Sequence, residues 1–274
     1  MNFKKLPIIV ILIMLFATGC SQESGIATGF TKDYGVFLNI AAKDYDKLFE
    51  YETVVIDAEF VEKDLISSLK SNGQTVYSYL NIGSIEDFRE NFDDFSGIIL
   101  GEYDNWEGEY WVDVSLKKWQ EYIAKTAENY LNIGIDGFFI DNCDVYYNFQ
   151  TDEIFNGLVT ILENLRTENT KIIINGGDTF VKKYNTDCGN LLKILTGVNQ
   201  ETVFSGIDFK ENSFFTAKNS DKEYYLSYLK SLSNSDIEVF LLEYTQSKKL
   251  EKAVENYCQK NNWKFYISNS IDLD

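Results

Sequence analysis

Residues 134–144 read Gly-Ile-Asp-Gly-Phe-Phe-Ile-Asp-Asn-Cys-Asp, and the order of residue types in this stretch sets the fold. Phe138, Phe139 and Ile140 form a short continuous apolar run, Asp141 ends it, and Asn142, Cys143 and Asp144 intervene before any helix. A strand that is apolar on both faces belongs to a parallel sheet covered by helices. Similar runs at 35–39, 53–57, 75–80, 171–174, 192–198, 238–243 and 264–268 bring the candidate strands to eight. Between them Trp119, Ile123, Ala127, Tyr130 and Leu131 recur with helical spacing, as do Ile154, Phe155, Leu158, Leu162 and Leu165, and again Leu250, Ala253, Val254 and Tyr257. Eight β/α units in residues 32–274 predict one α/β domain, a single (β/α)₈ TIM-type barrel, with a doubly wound open sheet as the runner-up. No GxGxxG and no GxxxxGK followed by Ser or Thr comes after the first strand, so the nucleotide-binding forms lack their phosphate cradle. An insertion at 82–114, after the third strand, carries Tyr103, Trp106, Tyr110 and Trp111. Such rings stack on sugar faces or anchor a local mini-core.

At the N-terminus, Lys4 and Lys5 precede an apolar run at 6–17 that is short for a membrane span, so residues 1–19 read as a signal peptide. Ala17-Thr18-Gly19-Cys20 resembles the lipobox of bacterial lipoproteins. Cys20 is then the expected lipidation site, residues 20–31 a tether, and the location extracytoplasmic, with the membrane touched through the lipid anchor only. An ordinary signal peptide or an N-terminal membrane helix is the alternative.

The whole chain carries a net charge of −18; without residues 1–19, which hold two Lys and no acid, 23 basic and 43 acidic residues give −20. That balance disfavours nucleic acid and anionic lipid as partners, and suits either solubility or the attraction of a cationic substrate. The chain has no His, which removes imidazole bases, Ser-His-Asp and Cys-His mechanisms and the usual zinc sites together. Any hydrolysis rests on carboxylates, with no cofactor and no metal expected. Of the remaining cysteines, Cys258 falls on an apolar helix face, and a bridge between Cys143 and Cys188 is possible.

In a barrel of this kind the reactive groups sit where strands end. Here those ends carry acids and amides: Asp57 and Glu59 after the second strand, Asn81 and Glu86 after the third, Asp141 and Asp144 after the fourth, Asn175 and Asp178 after the fifth, Glu201 after the sixth, and Glu243 with Tyr244 after the seventh. Asp178 and Asp152 fit the N-cap of a following helix. Asp141 is different, because the residues before it are buried and no helix follows at once, so it should point into the mouth.

Three stretches carry a specific resemblance: Tyr79-Leu80-Asn81-Ile82-Gly83-Ser84-Ile85-Glu86, Trp111-Val112-Asp113-Val114-Ser115, and residues 134–144. Together with Ile173-Ile174-Asn175-Gly176-Gly177 and Asn199-Gln200-Glu201-Thr202-Val203-Phe204, they resemble, in order, the endo-α-1,4-polygalactosaminidases of glycoside hydrolase family 114. The resemblance implies a (β/α)₈ barrel, hydrolysis of α-1,4-linked galactosamine polymers, and Asp141 and Glu201 as the catalytic acid pair. Analogy with barrel glycosidases suggests retention, Asp141 as nucleophile and Glu201 as acid/base. Asp57, Tyr79, Asn81, Glu86, Asp113, Asp144, Asn175, Glu243 and Tyr244 are the expected substrate-binding residues, the acids among them suited to cationic sugars. Two other readings compete: a surface lipoprotein that binds polysaccharide without turning it over, and a hydrolase using the acids to hold Mg²⁺ or Ca²⁺.

Overall fold

The computed structural model describes residues 29–104, 106–232 and 236–274. The expected signal peptide, Cys20 and most of the tether lie outside the described residues. Eight parallel strands follow one another around a nearly closed barrel: β1 (Lys32–Phe37), β2 (Tyr51–Ile56), β3 (Thr75–Asn81), β4 (Gly137–Asp141), β5 (Lys171–Asn175), β6 (Gly197–Glu201), β7 (Glu238–Tyr244) and β8 (Lys264–Ser268). At the seam Phe37 of β1 meets Tyr266 of β8, their rings 5.2 Å apart. This is the (β/α)₈ barrel that the alternation of runs and helical spacing predicts.

Each strand alternates between two cores. Val36, Val55, Tyr77, Phe139, Ile173, Phe240 and Leu242 fill the barrel interior, whereas Phe138, Ile140, Ile172, Ile174, Val198 and Leu241 face the helical layer. Side chains two apart on a strand share a face. Asp141 therefore points the same way as Phe139, and Asn175 the same way as Ile173. The outer layer comes from helices such as Lys117–Asn132 and Asp152–Leu165, which bury the apolar stripes seen in the sequence.

Four details differ from the sequence reading. The sixth strand is Gly197–Glu201 rather than 192–198, because Leu191–Lys193 form a 3₁₀ turn. An apolar run alone does not separate a strand from a packed turn. The cap of helix Asp152–Leu165 is Thr151, whose side chain accepts from the Ile154 N–H at 3.2 Å, not Asp152. Cys143, Cys188 and Cys258 are all free, so no Cys143–Cys188 bridge forms, and Cys143 and Cys258 are buried. Finally, a second insertion follows β6, a hairpin of Ser205–Asp208 against Ser213–Thr216. The 82–114 insertion is itself a three-stranded antiparallel sheet of Ser84–Glu86, Glu109–Val112 and Ile99–Glu102.

Candidate active site

The C-terminal ends of the strands open into a cavity of about 990 Å³. Asp57, Tyr79, Asp141, Asn175, Glu201 and Tyr244 line it, and the two insertions wall it with Tyr103, Trp106 and Glu109 on one side and Phe209 and Phe215 on the other.

Asn175 holds the centre together. Its Nδ2 donates to Asp141 Oδ1 at 3.0 Å and to Glu201 Oε1 at 2.7 Å, so these two oxygens lie no more than 5.7 Å apart, the sum of those lengths. The orientation of the Asn175 amide follows from the residues below it. Tyr34 donates its hydroxyl to Asn199 Oδ1 at 3.2 Å, which leaves the Asn199 Nδ2 to donate to Asn175 Oδ1 at 2.7 Å. Asn175 must then present its two N–H groups to the carboxylates, since an amide has one accepting and one donating end. Tyr244 donates to Glu201 Oε2 at 2.9 Å, and Asp141 is also bonded by the Tyr79 hydroxyl and the Asn142 backbone N–H.

The residue after each acid has a left-handed backbone: Asn142 at φ 64° and Thr202 at φ 54°. A β-branched residue rarely adopts this conformation, and its cost is tolerated where the surroundings over-determine it. Here both strands end in a sharp turn directly after the carboxylate. Gly176 and Gly177, both at φ 63°, make the equivalent turn after Asn175. A Cβ on Gly176 would lie 2.8 Å from Asp144 Oδ2 and one on Gly177 2.8 Å from the Cys143 Cβ, so the pair of glycines is what lets these two loops touch.

Burial raises several carboxyls in this region. Desolvation, then the Asp141 charge, lifts Glu201 to about 7. Desolvation also raises Asp141, against the hydrogen bonds from Asn175, Asn142 and Tyr79. It lifts Glu109 to about 7, Glu243 to about 7 and Asp144 to about 6. Such groups bind their protons more tightly folded than unfolded, so their contribution favours the fold at low pH and is lost as pH rises from the unfolded values near 4 to 4.5 through about 7. Melting temperature is expected to fall across that interval; a series of thermal melts that stays flat or rises would contradict it.

Not all of the expected binding residues reach the cavity. Asp57 and Glu86 line it but are held by Arg89, whose Nη2 lies 3.2 Å from Asp57 Oδ2 and 3.2 Å from Glu86 Oε1, while Nη1 pairs with Glu59. They are therefore largely spent on a guanidinium and are poor cation sites. Asp144 lines the cavity and accepts the Gly177 N–H at 3.0 Å. Asn81 instead folds the loop after β3, accepting the Ser84 N–H at 3.0 Å. Asp113 closes a turn through the Ser115 N–H at 3.0 Å and lies outside the cavity lining. Glu243 is corrected: it alternates with Tyr244, faces away from the barrel interior, is fully buried, and accepts the backbone N–H groups of Phe204 at 2.9 Å and Ser205 at 2.8 Å. It fixes the hairpin after β6 and lies outside the cavity lining. Asp178 is more than a helix-start residue, since it lines the cavity and pairs with Lys182 at 2.8 Å.

Glu109 and Arg89 were not singled out in the sequence, because both lie in the insertion rather than at a barrel strand end. The available signal was slight: Arg89 is one of two arginines in the chain and stands beside Glu86 and Glu90. The aromatic residues of the insertion divide. Trp111 is buried under Tyr103 with ring centroids 4.2 Å apart, and Tyr110 packs on Phe92 at 5.5 Å, whereas Trp106 is exposed, lines the cavity and meets Phe209 of the other insertion at 5.7 Å. Phe60 and Phe88, 59% and 66% exposed, flank Arg89 at the rim.

A protein-family model described as Glycoside-hydrolase family GH114 matches residues 26–270. No curated protein matches the sequence. Among solved structures, the glycoside hydrolase domain of PelA from Pseudomonas aeruginosa superposes with a TM-score of 0.74 at 15% identity, covering 88% of this chain and 96% of that one. Aspergillus fumigatus Ega3, crystallised in complex with galactosamine, gives 0.66 at 16%, with 90% and 93% covered. The α-galactosidase TtGalA of Thermus thermophilus gives 0.59 at 12%, with 86% and 58% covered. At these identities the likeness is one of fold.

Proposed function

The chain belongs to glycoside hydrolase family GH114, and on that premise we propose that it is an endo-acting, extracytoplasmic hydrolase of α-1,4-linked galactosamine-type polysaccharide, working with retention through Asp141 and Glu201. The observation that carries this reading is the Asn175 amide that bonds both carboxylates at 3.0 and 2.7 Å. Retaining glycosidases hold their two carboxyl groups roughly 5 to 5.5 Å apart, and inverting ones roughly 6.5 to 9.5 Å, to leave room for a water molecule. One amide spanning the gap fits the shorter spacing.

In the first step Asp141 attacks the anomeric carbon while Glu201 gives its proton to the leaving oxygen. A Glu201 pushed up to about 7 is protonated often enough at neutral pH to do so. Formation of the glycosyl ester removes the Asp141 charge, which is the second-largest cause of that elevation. Glu201, which has given its proton to the leaving group, is then the more easily kept ionised and takes a proton from the attacking water as that water displaces Asp141 from the anomeric carbon. Tyr244 and Asn175 stay bonded to it through both roles.

The substrate assignment draws on the galactosamine bound in the Ega3 crystal structure, on the net charge of −18, and on a cavity of about 990 Å³ with aromatic rings on several sides, room for more than one sugar. Turnover on a cationic polymer is expected to fall as salt screens the attraction beyond about 8 to 10 Å; kcat/KM unchanged between low and high salt would assign the acidity to solubility. The exported, lipid-anchored location rests on the N-terminal sequence. Cys20→Ala is expected to abolish membrane attachment while leaving the barrel intact, and an acylated N-terminal peptide recovered from that variant would overturn the anchor. The central test is incubation with α-linked galactosamine, N-acetylgalactosamine and glucosamine polymers, followed by mass and NMR analysis. Internal cuts in a galactosamine-type polymer with the anomeric configuration kept are expected; no new reducing ends from any of them, or an inverted product, would refute the substrate or the stereochemistry respectively.

A further inference from the structure

Asp57 and Glu86 are tied to Arg89, Asp178 to Lys182, Asp144 to the Gly177 N–H, Asp221 and Asp272 to the hydroxyls of Ser220 and Ser270, and Asp141 and Glu201 to the chemistry; Glu109 is a cavity carboxylate with a different arrangement. Its Oε1 sits in a socket of neutral donors: Asn142 Nδ2 at 2.9 Å, Asn81 Nδ2 at 3.2 Å and the Ser84 hydroxyl. Its Oε2 takes no hydrogen bond, and no Lys or Arg pairs with it, among the described residues. Two segments build the socket: Asn81 and Ser84 span the end of β3 and the start of the insertion, and Asn142 follows Asp141 in the left-handed conformation that aims its side chain here. Gly83 allows the closure, because a Cβ there would lie 1.8 Å from the Asn142 carbonyl oxygen.

The socket places Glu109 beside Asp141. Asn81 is the register partner of Asp141 across β3 and β4, and Asn142 is its chain neighbour; both bond Glu109. If Asp141 attacks the anomeric carbon, the substituent on the adjoining ring carbon is the substrate group nearest to that point. We infer that Glu109 reads this substituent, and that its unbonded oxygen accepts from a protonated 2-amino group, making it the residue that selects amino sugars over neutral ones. A half-buried carboxylate with neutral partners lacks a counter-charge, and an ammonium supplies both the charge and the missing donor. A hydroxyl in the same place supplies only a weaker bond.

This assignment rests on the proposed substrate, but monosaccharide binding separates the two. Galactosamine, galactose and N-acetylgalactosamine are titrated calorimetrically at neutral pH into the full chain and into Glu109→Gln, a variant whose side-chain oxygen can keep the socket bonds. Hydrogen bonds to charged groups are worth enough to predict that the wild-type preference for galactosamine over galactose, about tenfold or more, collapses in the variant while galactose affinity holds. Equal losses for both sugars, or an unchanged ratio, would reduce Glu109 to a structural part and overturn the assignment. The wild type gives a second check that does not depend on the variant folding: equal affinity for galactosamine and galactose also overturns it. A chain that keeps the Glu109-dependent preference and yet leaves galactosamine polymer uncut contradicts the substrate reading alone.

Discussion

Glu201→Gln is expected to lower kcat by about 10² to 10⁴, the range general acid catalysis contributes, and Asp141→Asn by at least as much, because without the nucleophile no glycosyl ester forms. Both variants should fold, since the replacements are nearly isosteric and each removes a buried charge. Their pH profiles should differ from that of the parent. The parent needs Asp141 ionised and Glu201 protonated, so kcat/KM should be bell-shaped, with its alkaline limb near Glu201's value of about 7 and its acid limb above the ordinary Asp range, because burial raises Asp141. In Glu201→Gln the alkaline limb should vanish from the residual activity. Azide should restore turnover in both, entering as the nucleophile in place of Asp141 to give an azido-sugar of inverted configuration, and attacking the glycosyl ester in Glu201→Gln to give a retained one. Wild-type rates in either variant would remove that residue from the mechanism. The two azide products appearing the other way round would exchange the roles.

The barrel was legible because its rules are local. Apolar runs such as Phe138-Phe139-Ile140, helical spacing such as Trp119, Ile123 and Ala127, and acids at strand ends need no knowledge of distant contacts. The failures came where neighbouring positions take opposite faces or where contacts cross long stretches of chain. Glu243 and Tyr244 are adjacent acid and aromatic at one strand end, and only the phase of the alternation decides which faces inward; Leu242 and Tyr244 take the interior, so Glu243 turns outward to Phe204 and Ser205. Arg89 neutralises Asp57 from 32 positions away, and Glu109 reaches Asn142 from 33. No short-range pattern encodes either distance. The left-handed Asn142 and Thr202 are equally silent in the sequence, since neither is a glycine that would mark the turn.

Asn175→Ala is expected to cost about a hundredfold in kcat while moving the alkaline limb of the pH profile upward. Asn175 touches both carboxylates, so its loss frees two side chains whose relative position sets attack and proton delivery, and a displacement of about 1 Å is enough for a 10²-fold effect. The direction of the pH shift follows from the bond itself. The Asn175 N–H donates to the ionised form of Glu201 and thereby holds its pKa down against desolvation and the Asp141 charge; removing that donor lets the pKa rise. The same substitution also strands the Asn199 amide, whose Nδ2 bond to Asn175 Oδ1 is lost within the barrel interior, so a lower melting temperature should accompany the kinetic change. Asn199→Ala separates the two effects: it should destabilise comparably, but it leaves the Asn175 donor to Glu201 in place and should move the limb less. A limb that stays put or moves downward in Asn175→Ala would mean that this amide does not control Glu201, and that the short separation of the two acids is maintained by something other than the bridge.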